Sequence, residues 1–524
     1  MTVQNGILIG IDLGTTALKA AAFDARSGAA VASASHRIAV RIGADGTREQ
    51  DASGLRSALA TVASEIRAPL GDRWSEVSGL GLCAQGGSGM IVDRDSGAAI
   101  TPMMLWNDSR CQCEWNNVAA RKPPEYWTRF SLRRGPGVGL VRMAWLRKRE
   151  PSLFTDSTMY VGAGEYAYFL LTGVWRQDAC NALQIGCYNV PENRLDAEPL
   201  ATVGVPLSFV APLRDGHQAH SLSDSGRELL GIVKMGSSDD RKASAAQAVP
   251  VVGPYMDHEA GYLSAAQISS RPLQCSLGTA WVGNFIVESV YVGASPTQLV
   301  IGSPLGSGHE VIQPLMTGNV SWDWGLETLV DSNHSAALGA LDSIFSERLL
   351  PPEGLTALPW LTQANTLVPD ATGAGAFFGV SAHTTRHDML RALAAAIVYE
   401  FYRVFRSVKE NGLVDSVVLG GGASKGRVFR ELLAALFAPL PVFSLADEDV
   451  AGARGAVFAL SPETAQSTPC LVPVPTDQLC ARIRKDYDRY LDLFERICGD
   501  APIGGAYDVT TTANSSERPR RGGQ

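Results

Sequence analysis

The sequence predicts an α/β protein made of two large domains. The chain has 524 residues, which is more than a single hydrophobic core usually serves. Short apolar, strand-like runs alternate with amphipathic segments, a pattern typical of sheets that carry helices on their faces. A strand–turn–strand segment with Leu-Gly-Thr at its turn occurs at 13–15 and again at 277–279, which indicates a duplicated domain. We predict domains at 1–265 and 266–498, followed by a disordered tail at 499–524.

The first domain begins with a predicted β-hairpin. Ile7–Ile11 and Leu18–Phe23 are the two strands, and the Gly-Thr segment between them is the hairpin tip. Asp51 has a side chain suited to an N-cap, and the apolar residues after it recur every three or four positions, which predicts a helix. Those residues are Leu55, Leu59, Val62 and Ile66. A strand at Val77–Cys83 follows, and further helices are predicted over 140–148 and 166–171.

The second domain contains the helix with the strongest signal. Thr385 is its predicted N-cap, Asp388 follows three residues later, and Gly412 stands where a C-cap belongs. Ser416–Leu419 is a predicted strand that leads into a triple glycine and then into an amphipathic helix. A last amphipathic helix is predicted over 479–497.

Composition excludes several classes of partner. The net charge is −8, so an acidic chain of this kind is not expected to bind nucleic acid or anionic membranes. No stretch reaches the ~20 apolar residues that a membrane span needs. The nine cysteines are scattered and odd in number, and no secretory segment is evident at the N-terminus. We therefore expect reduced thiols and a cytoplasmic protein.

The two Gly-Thr turns are candidates for binding phosphate. Glycine lets successive backbone N–H groups approach an anion closely, because it has no Cβ. Gly14 and Gly278 suit this role, and three threonine hydroxyls beside them add donors. These are Thr15, Thr16 and Thr279. The alternative is that Gly-Thr simply makes two favourable hairpin turns.

Two aspartates are candidates for the chemistry of phosphoryl transfer. Asp12 ends a predicted buried strand beside the first turn and could hold Mg²⁺ through water; alternatively it caps its own turn. Asp257 follows the apolar strand of Pro250–Met256 and begins a predicted helix. A carboxylate there can act as general base towards an acceptor hydroxyl, although N-capping alone would also explain it. His258 and Glu259 are rival bases, and we expect both to lie at a solvated helix start.

The triple glycine at 420–422 forms a strand–turn–helix signal. Its bare backbone would let an adenine or ribose lie flat on the turn. The sequence lacks the Gly-x-x-x-x-Gly-Lys-Ser/Thr pattern of P-loop proteins and the loop motifs of protein kinases. Nucleotide binding of either type is therefore not expected.

Together these segments resemble the FGGY carbohydrate kinases of the actin/hexokinase/Hsp70 ATPase superfamily. The resemblance runs in order from about residue 7 to residue 495. The segments that carry it are Asp12–Lys19, Glu49–Asp51, Leu105–Arg110, Leu171–Gly173, Gly253–Gly261, Ser276–Thr279, Gly318–Trp322, Gly375–Gly379 and Gly420–Ala423. Its implied fold is two actin-like (ribonuclease H-like) domains with the active site in the cleft between them.

The resemblance also implies roles for residues. Asp257 matches the catalytic base, which also contacts the sugar, and Asp12 matches the acid that places Mg²⁺; both are implied metal contacts through water. ATP would be bound by the two Gly-Thr turns, by the glycine turn of the second domain and by the segment at 318. The implied nucleotide contacts are Asp12, Gly14, Thr15, Thr16, Gly278, Thr279, Gly318, Gly421, Gly422 and Ala423. A homodimer is the assembly that the resemblance suggests.

The sugar site is implied by the segment Leu105–Arg110, which is similar to that of xylulokinases. The implied substrate contacts are Gln85, Trp106, Asn107, Asp108 and Asp257. Trp106 could instead be a core residue. Xylulokinase-like members carry Gln-Met-His-Gly at the preceding turn, whereas this chain has Gln85-Gly86-Gly87-Ser88. The departure puts the ordinary xylulose assignment in doubt.

We therefore predict a kinase that transfers the γ-phosphoryl group of ATP to a hydroxyl of a sugar, a pentulose above all, or of a polyol. Erythritol, glycerol and gluconate are alternative acceptors. A nucleotide-switched binding protein is the alternative from another class, and an inactive relative is a third.

Overall fold

Two twisted sheets with helices on their faces form the protein. The computed structural model describes residues 3–232, 248–278, 280–289, 297–362, 367 and 373–498. The predicted α/β class is confirmed. The predicted tail at 499–524 lies outside the described residues, as does Thr279.

The first sheet has six strands within the described residues. The predicted hairpin is its centre: Ile7–Leu13 pairs antiparallel with Ala17–Asp24 and parallel with Val77–Ala84. The sheet order is His220–Ser221, Pro250–Met256, Val77–Ala84, Ile7–Leu13, Ala17–Asp24 and Ala30–Arg37. The central strand is buried on both faces because helices cover it, which explains its continuous apolar run.

The second sheet repeats this plan in seven strands. Pro272–Leu277 pairs antiparallel with Trp281–Val287 and parallel with Ser416–Gly420, as its counterpart does in the first sheet. The sheet order is Leu299–Gly302, His309–Leu315, Trp281–Val287, Pro272–Leu277, Ser416–Gly420, Val442–Leu445 and Pro469–Leu471. The shared topology agrees with the duplicated Leu-Gly-Thr turn.

Short strands and helices complete the described chain. The small sheets comprise Arg41–Ile42, Arg48–Gln50 and Met103–Met104; Met90–Asp93 and Thr158–Val161; Tyr188–Asn189 and Arg194–Leu195; and Thr356–Leu358 and Ala376–Phe378. The α-helices are Ala52–Leu70, Trp115–Ala119, Pro124–Ser131, Val138–Arg149, Ala163–Thr172, Ala179–Ile185, Ala197–Ala201, Asp224–Leu230, Asp257–Ala265, Gly318–Leu329, His334–Glu347, Arg386–Glu410, Arg427–Phe437, Ala451–Ala456 and Asp477–Cys498.

Helix termini follow the capping signals of the sequence. Asp51 accepts a hydrogen bond from the N–H of Ser53, as an N-cap does. Thr385 and Asp388 form a reciprocal capping box at the start of Arg386–Glu410. That helix ends before Gly412, whose φ of 63° is the left-handed conformation that glycine tolerates. These helix starts and ends are decided locally.

The helix Ala451–Ala456 connects the two sheets. It lies over the strand Ile7–Leu13 of the first sheet and beside Asp257–Ala265. In both contacts the backbones approach closely: a Cβ at Gly10 would stand 1.9 Å from the carbonyl oxygen of Ala453, and a Cβ at Gly455 would stand 1.8 Å from that of Ala260. Glycine is required there because the helix leaves no room for a side chain.

Candidate active site

A gap of about 260 Å³ lies between the hairpin turn of the first sheet and the turn that follows the strand Ser416–Gly420 of the second sheet. Gly278, at the hairpin of the second sheet, is not among the residues that line it. The first sheet contributes Asp12 and Gly14 to its wall, the helix Asp257–Ala265 contributes Asp257, and the second sheet contributes Gly420 and Gly421. These residues are far apart in the chain. Tertiary packing brings these segments together.

Asp12 is the last residue but one of the strand Ile7–Leu13 and is paired with Lys19 of the neighbouring strand. The pKa of its carboxyl is raised to about 6, first by burial and then by the negative charge of Asp257. Lys19 and a hydrogen bond with the Cys83 thiol oppose this shift. Asp12 therefore sits in a polar but poorly hydrated place, near a second carboxylate.

Asp257 is the first residue of its helix, as predicted. Its carboxylate accepts a hydrogen bond from the N–H of His258 at 2.9 Å, and its side chain is half-buried. In the part of the chain that the structure describes, no ion pair engages it. A carboxylate in this position can accept a proton from a bound alcohol.

The expectation for Glu259 is wrong. It is buried, with 8% of its surface exposed, and its carboxylate accepts the N–H of Met256 at 3.2 Å. The reason is the tight start of the helix, which turns this side chain back onto the preceding strand. Burial raises the pKa of Glu259 well above its usual range.

Thr15 belongs to a hydrogen-bond network with the residues that the sequence predicts to bind sugar. Its hydroxyl donates to Oε1 of Gln85 at 3.0 Å and accepts from the indole nitrogen of Trp106 at 3.0 Å. The side-chain amide of Gln50 donates to the carbonyl of Thr15 at 2.6 Å. Gln85 and Trp106 are thus brought together, whereas Thr16 faces the gap itself.

Asn107 and Asp108 follow Trp106 but have different surroundings. Asn107 is exposed, and Asp108 is buried. The carboxylate of Asp108 binds Arg110 at 2.7 Å and accepts the backbone N–H of Arg48 at 2.9 Å. In this structure Asp108 holds the loop in shape, and its predicted contact with substrate stays a prediction.

Asp12, Gly14, Thr15 and Thr16 of the predicted nucleotide contacts belong to the hairpin of the first sheet, and the remaining described ones lie around the second sheet. Gly421 lines the gap, while Gly422 beside it is exposed and Ala423 is buried. Gly278 follows the strand Pro272–Leu277 at the hairpin tip. Gly318 begins a helix against Trp281, and a Cβ there would stand 2.3 Å from the indole. Their contacts with ATP stay predictions.

Two important residues were missed from the sequence. Gly452 lies against Asp12. Arg142 donates to the carbonyl oxygens of Gly87 and Leu105, which belong to the two loops predicted to bind sugar. The small residues at 451–456 are a signal for close packing, but they do not say against what. Nothing in the sequence connects Arg142 with these loops.

Within the described residues no helix is long and apolar enough to cross a membrane. The described cysteines, which include all nine, form no disulfide.

Comparison with known proteins identifies the class. The profile of the N-terminal domain of the FGGY carbohydrate kinases matches residues 7–261, and that of the C-terminal domain matches residues 315–461. The chain therefore belongs to the FGGY family of carbohydrate kinases. Its fold is that of two actin-like domains, and it is a phosphotransferase with an alcohol as acceptor.

Individual relatives are distant but cover most of the chain. A xylulose kinase of Staphylococcus epidermidis is 24% identical over 440 residues, which are 82% of this chain and 83% of the relative. A glycerol kinase of Brucella ovis is 21% identical, over 84% of this chain and 87% of the relative. The crystal structure of xylulose kinase from Rhodospirillum rubrum has a TM-score of 0.77 at 20% identity and covers 94% of this chain and 99% of its own. At that identity the structural match supports the fold alone.

Proposed function

We propose that this kinase transfers the γ-phosphoryl group of ATP to a hydroxyl of a ketose, a pentulose above all, with Asp257 as general base. One observation carries the proposal. Asp12 and Asp257 face the same gap as Gly14 and Gly421, which belong to turns of the two different sheets. A triphosphate bound by those turns would lie beside the carboxylate that receives the proton of the alcohol.

The backbone of the two turns supports phosphate binding. Gly14 and Gly421 line the gap without side chains, so a phosphate can approach the backbone of both turns closely. The N–H of Gly14 itself donates to the carbonyl of Ala17 at 3.0 Å within the hairpin. The hydroxyls of Thr16 and Thr279 would add donors. Asp257 is free of ion pairs among the described residues, so it can take up the alcohol proton as the new O–P bond forms.

We propose that the gap binds Mg²⁺, because carboxylates line it. Within the described residues no cluster of three or more metal-ligating side chains exists. Four carboxylates line the gap. Glu448 and Asp449 pair with Lys425, which leaves Asp12 and Asp257 for a cation. That set fits Mg²⁺, which keeps several waters and uses one or two carboxylates together with substrate phosphates. Burial, and after it the negative charge of Asp257, raises the pKa of Asp12. The repulsion between the two carboxylates favours a cation between them. When bound, Mg²⁺ would neutralise phosphate charge.

A pentulose is favoured by the relatives named xylulose kinase. The network of Thr15, Gln85 and Trp106 gives the sugar side a polar wall with an aromatic ring. Polyols are the second candidate, because the relatives also include glycerol kinases. Aldonates such as gluconate remain a further alternative acceptor.

Assembly, compartment and domain limits are proposals of the same kind. A homodimer rests on the resemblance to the family. A cytoplasmic location is supported by the unpaired cysteines. The proposed boundary at 265/266 coincides with the end of the helix Asp257–Ala265.

The test is ADP release measured with MgATP and a panel of D-xylulose, D-ribulose, erythritol, glycerol and D-gluconate. A kinase releases ADP in strong dependence on one class of these acceptors. Slow release that no acceptor changes would instead indicate a nucleotide-switched binding protein, and absence of both would indicate an inactive relative.

A further inference from the structure

The turn after the strand Val77–Ala84 has two glycines whose missing side chains leave space for a distant residue. A Cβ on Gly86 would stand 2.5 Å from Nε2 of Gln184, and a Cβ on Gly87 would stand 2.1 Å from its Oε1. The Gln184 carboxamide therefore occupies the volume that side chains at 86 and 87 would need.

The surroundings of this carboxamide belong to the sugar side of the site. The Cβ on Gly86 would also stand 3.2 Å from Cγ of Met256, the neighbour of Asp257. The Cβ on Gly87 would stand 3.4 Å from Cβ of Trp106. Gln184 thus lies among the Gln85 turn, the Trp106 loop and the end of the strand that carries Asp257.

The helix that carries Gln184 is fixed against the turn. Asn181, one helical turn earlier, accepts the N–H of Gly87 at 3.2 Å and donates to Glu165 at 2.7 Å. Asp178 caps the start of the same helix, Ala179–Ile185. Since residues three apart share a helix face, Asn181 directs Gln184 towards the two glycines.

The carboxamide of Gln184 is poorly used by the protein. Across the described ranges its side chain makes a single hydrogen bond, a weak one from Nε2 to the sulfur of Cys180 at 4.0 Å. The side chain is half-buried. A carboxamide has two N–H donors and an acceptor oxygen, so most of its capacity is available to a ligand.

We propose that Gln184 is a specificity-determining residue, whose carboxamide binds a hydroxyl or carbonyl oxygen of the sugar or polyol. The inference rests on the proposed kinase function and adds a residue to it. Gly86 and Gly87 are the partners of Gln184, because any larger side chain there would displace the carboxamide. The uncharged carboxamide of Gln184, with its N–H donors and acceptor oxygen, therefore selects which substrate group binds at this place.

The test compares Gln184→Ala and Gln184→Glu with the wild type on the five acceptors of the panel. We expect Gln184→Ala to lower kcat/KM for the best acceptor on the order of 10- to 100-fold, the scale of one lost substrate hydrogen bond that leaves a partner unpaired. The ratio of kcat/KM between acceptors should change, while KM for ATP stays within about twofold. Gln478→Ala, at an exposed site of the last helix, is the matched control and should change nothing.

A double-mutant cycle tests whether Gly86 acts through the carboxamide of Gln184. Gly86→Ala should lower kcat/KM in the wild type, because its new Cβ displaces the carboxamide. The same change should have little further effect in Gln184→Ala, since the displaced group is gone.

The outcomes separate the two proposals. Equal loss for every acceptor, additive effects in the cycle or an unchanged acceptor ratio would overturn the role of Gln184 while leaving the kinase function in place. A wild-type chain that phosphorylates none of the panel would overturn the kinase function itself, and the role of Gln184 with it.

Discussion

Gly452 lies directly on the carboxylate of Asp12: a Cβ built on this glycine would stand 2.6 Å from Oδ2. The contact joins the helix Ala451–Ala456 to the strand Ile7–Leu13, which lie more than 400 residues apart in the sequence. The position of Asp12, the proposed Mg²⁺ ligand, therefore depends on backbone from the other half of the chain.

Gly452→Ala should therefore displace Asp12. We expect kcat to fall on the order of tenfold or more, because small misplacements at a reacting centre are costly, and the free energy of unfolding to drop by about 1–3 kcal/mol from overpacking. Gly339→Ala is the control: it lies in the helix His334–Glu347 with nothing within 4 Å of a new Cβ. Equal activity of the two variants, measured by ADP release, would contradict this dependence.

Asp257→Asn tests the general base. The replacement is nearly isosteric and keeps a side-chain oxygen for the N–H of His258, so the fold and ATP binding should be retained. We expect kcat to fall roughly 10²- to 10⁴-fold, the usual contribution of a general base. ADP release with saturating acceptor measures the loss, and a thermal melt checks the fold. Near-normal turnover would exclude this role.

Asp12→Asn should make the protein more stable and less active. The raised pKa of Asp12, about 6, means that its charged form is disfavoured in the folded state at neutral pH. Removing that charge should raise the free energy of unfolding by about 1–3 kcal/mol at pH 7, and abolish the response of activity to Mg²⁺. Chemical unfolding measures the change in stability, and ADP release at increasing Mg²⁺ concentrations measures the response of activity.

The gain from Asp12→Asn should also depend on pH with a defined sign. As the pH falls through about 6, wild-type Asp12 takes up its proton and the cost of its charge disappears. The two proteins should then converge in stability towards about pH 4, the ordinary range of an aspartate. An asparagine variant that is less stable than the wild type at pH 7 would refute the electrostatic account.

Activity should fall on the acid side for the same reason. Below about pH 6 Asp12 is neutral and no longer attracts Mg²⁺, so kcat/KM for MgATP should decline about tenfold per pH unit. More Mg²⁺ competes with the proton and should move this limb to lower pH. A flat profile between about pH 8 and pH 5 would rule out a role for the ionised Asp12.

Arg142 is expected to position the sugar loops. Its guanidinium donates to the carbonyls of Gly87 and Leu105 and is fully buried. Arg142→Lys keeps the charge, but a single ammonium lacks the planar fork that reaches both carbonyls. We expect KM for the acceptor to rise on the order of tenfold, with KM for ATP unchanged. Arg149→Lys, exposed on the same helix, is the control.

If both KM values of Arg142→Lys changed equally, the residue would serve general stability and not the sugar loops. A thermal melt of the two lysine variants separates these explanations, because a specific effect on the loops predicts a larger change in acceptor KM than the change in Tm explains.

The sequence by itself determined the elements whose signals are local. Three features depend on residues within a few positions of one another. They are the hairpin that begins with Ile7–Leu13, the capping box of Thr385 and Asp388, and the helix start at Asp257. The repeated Leu-Gly-Thr turn likewise predicted two equivalent sheets. Local conformational preferences suffice for such features, so the fold class and the principal acids could be proposed from the chain alone.

Only the tertiary structure decided which side chains share a space. Thr15 turns its hydroxyl to Gln85 and Trp106, and Glu259 turns inward, although both stand beside residues that face the gap. Gly452 lies against Asp12, and Gln184 lies against Gly86 and Gly87, from positions distant in sequence. The physical reason is that close packing fixes such contacts through steric fit between remote elements, and no local preference encodes that fit.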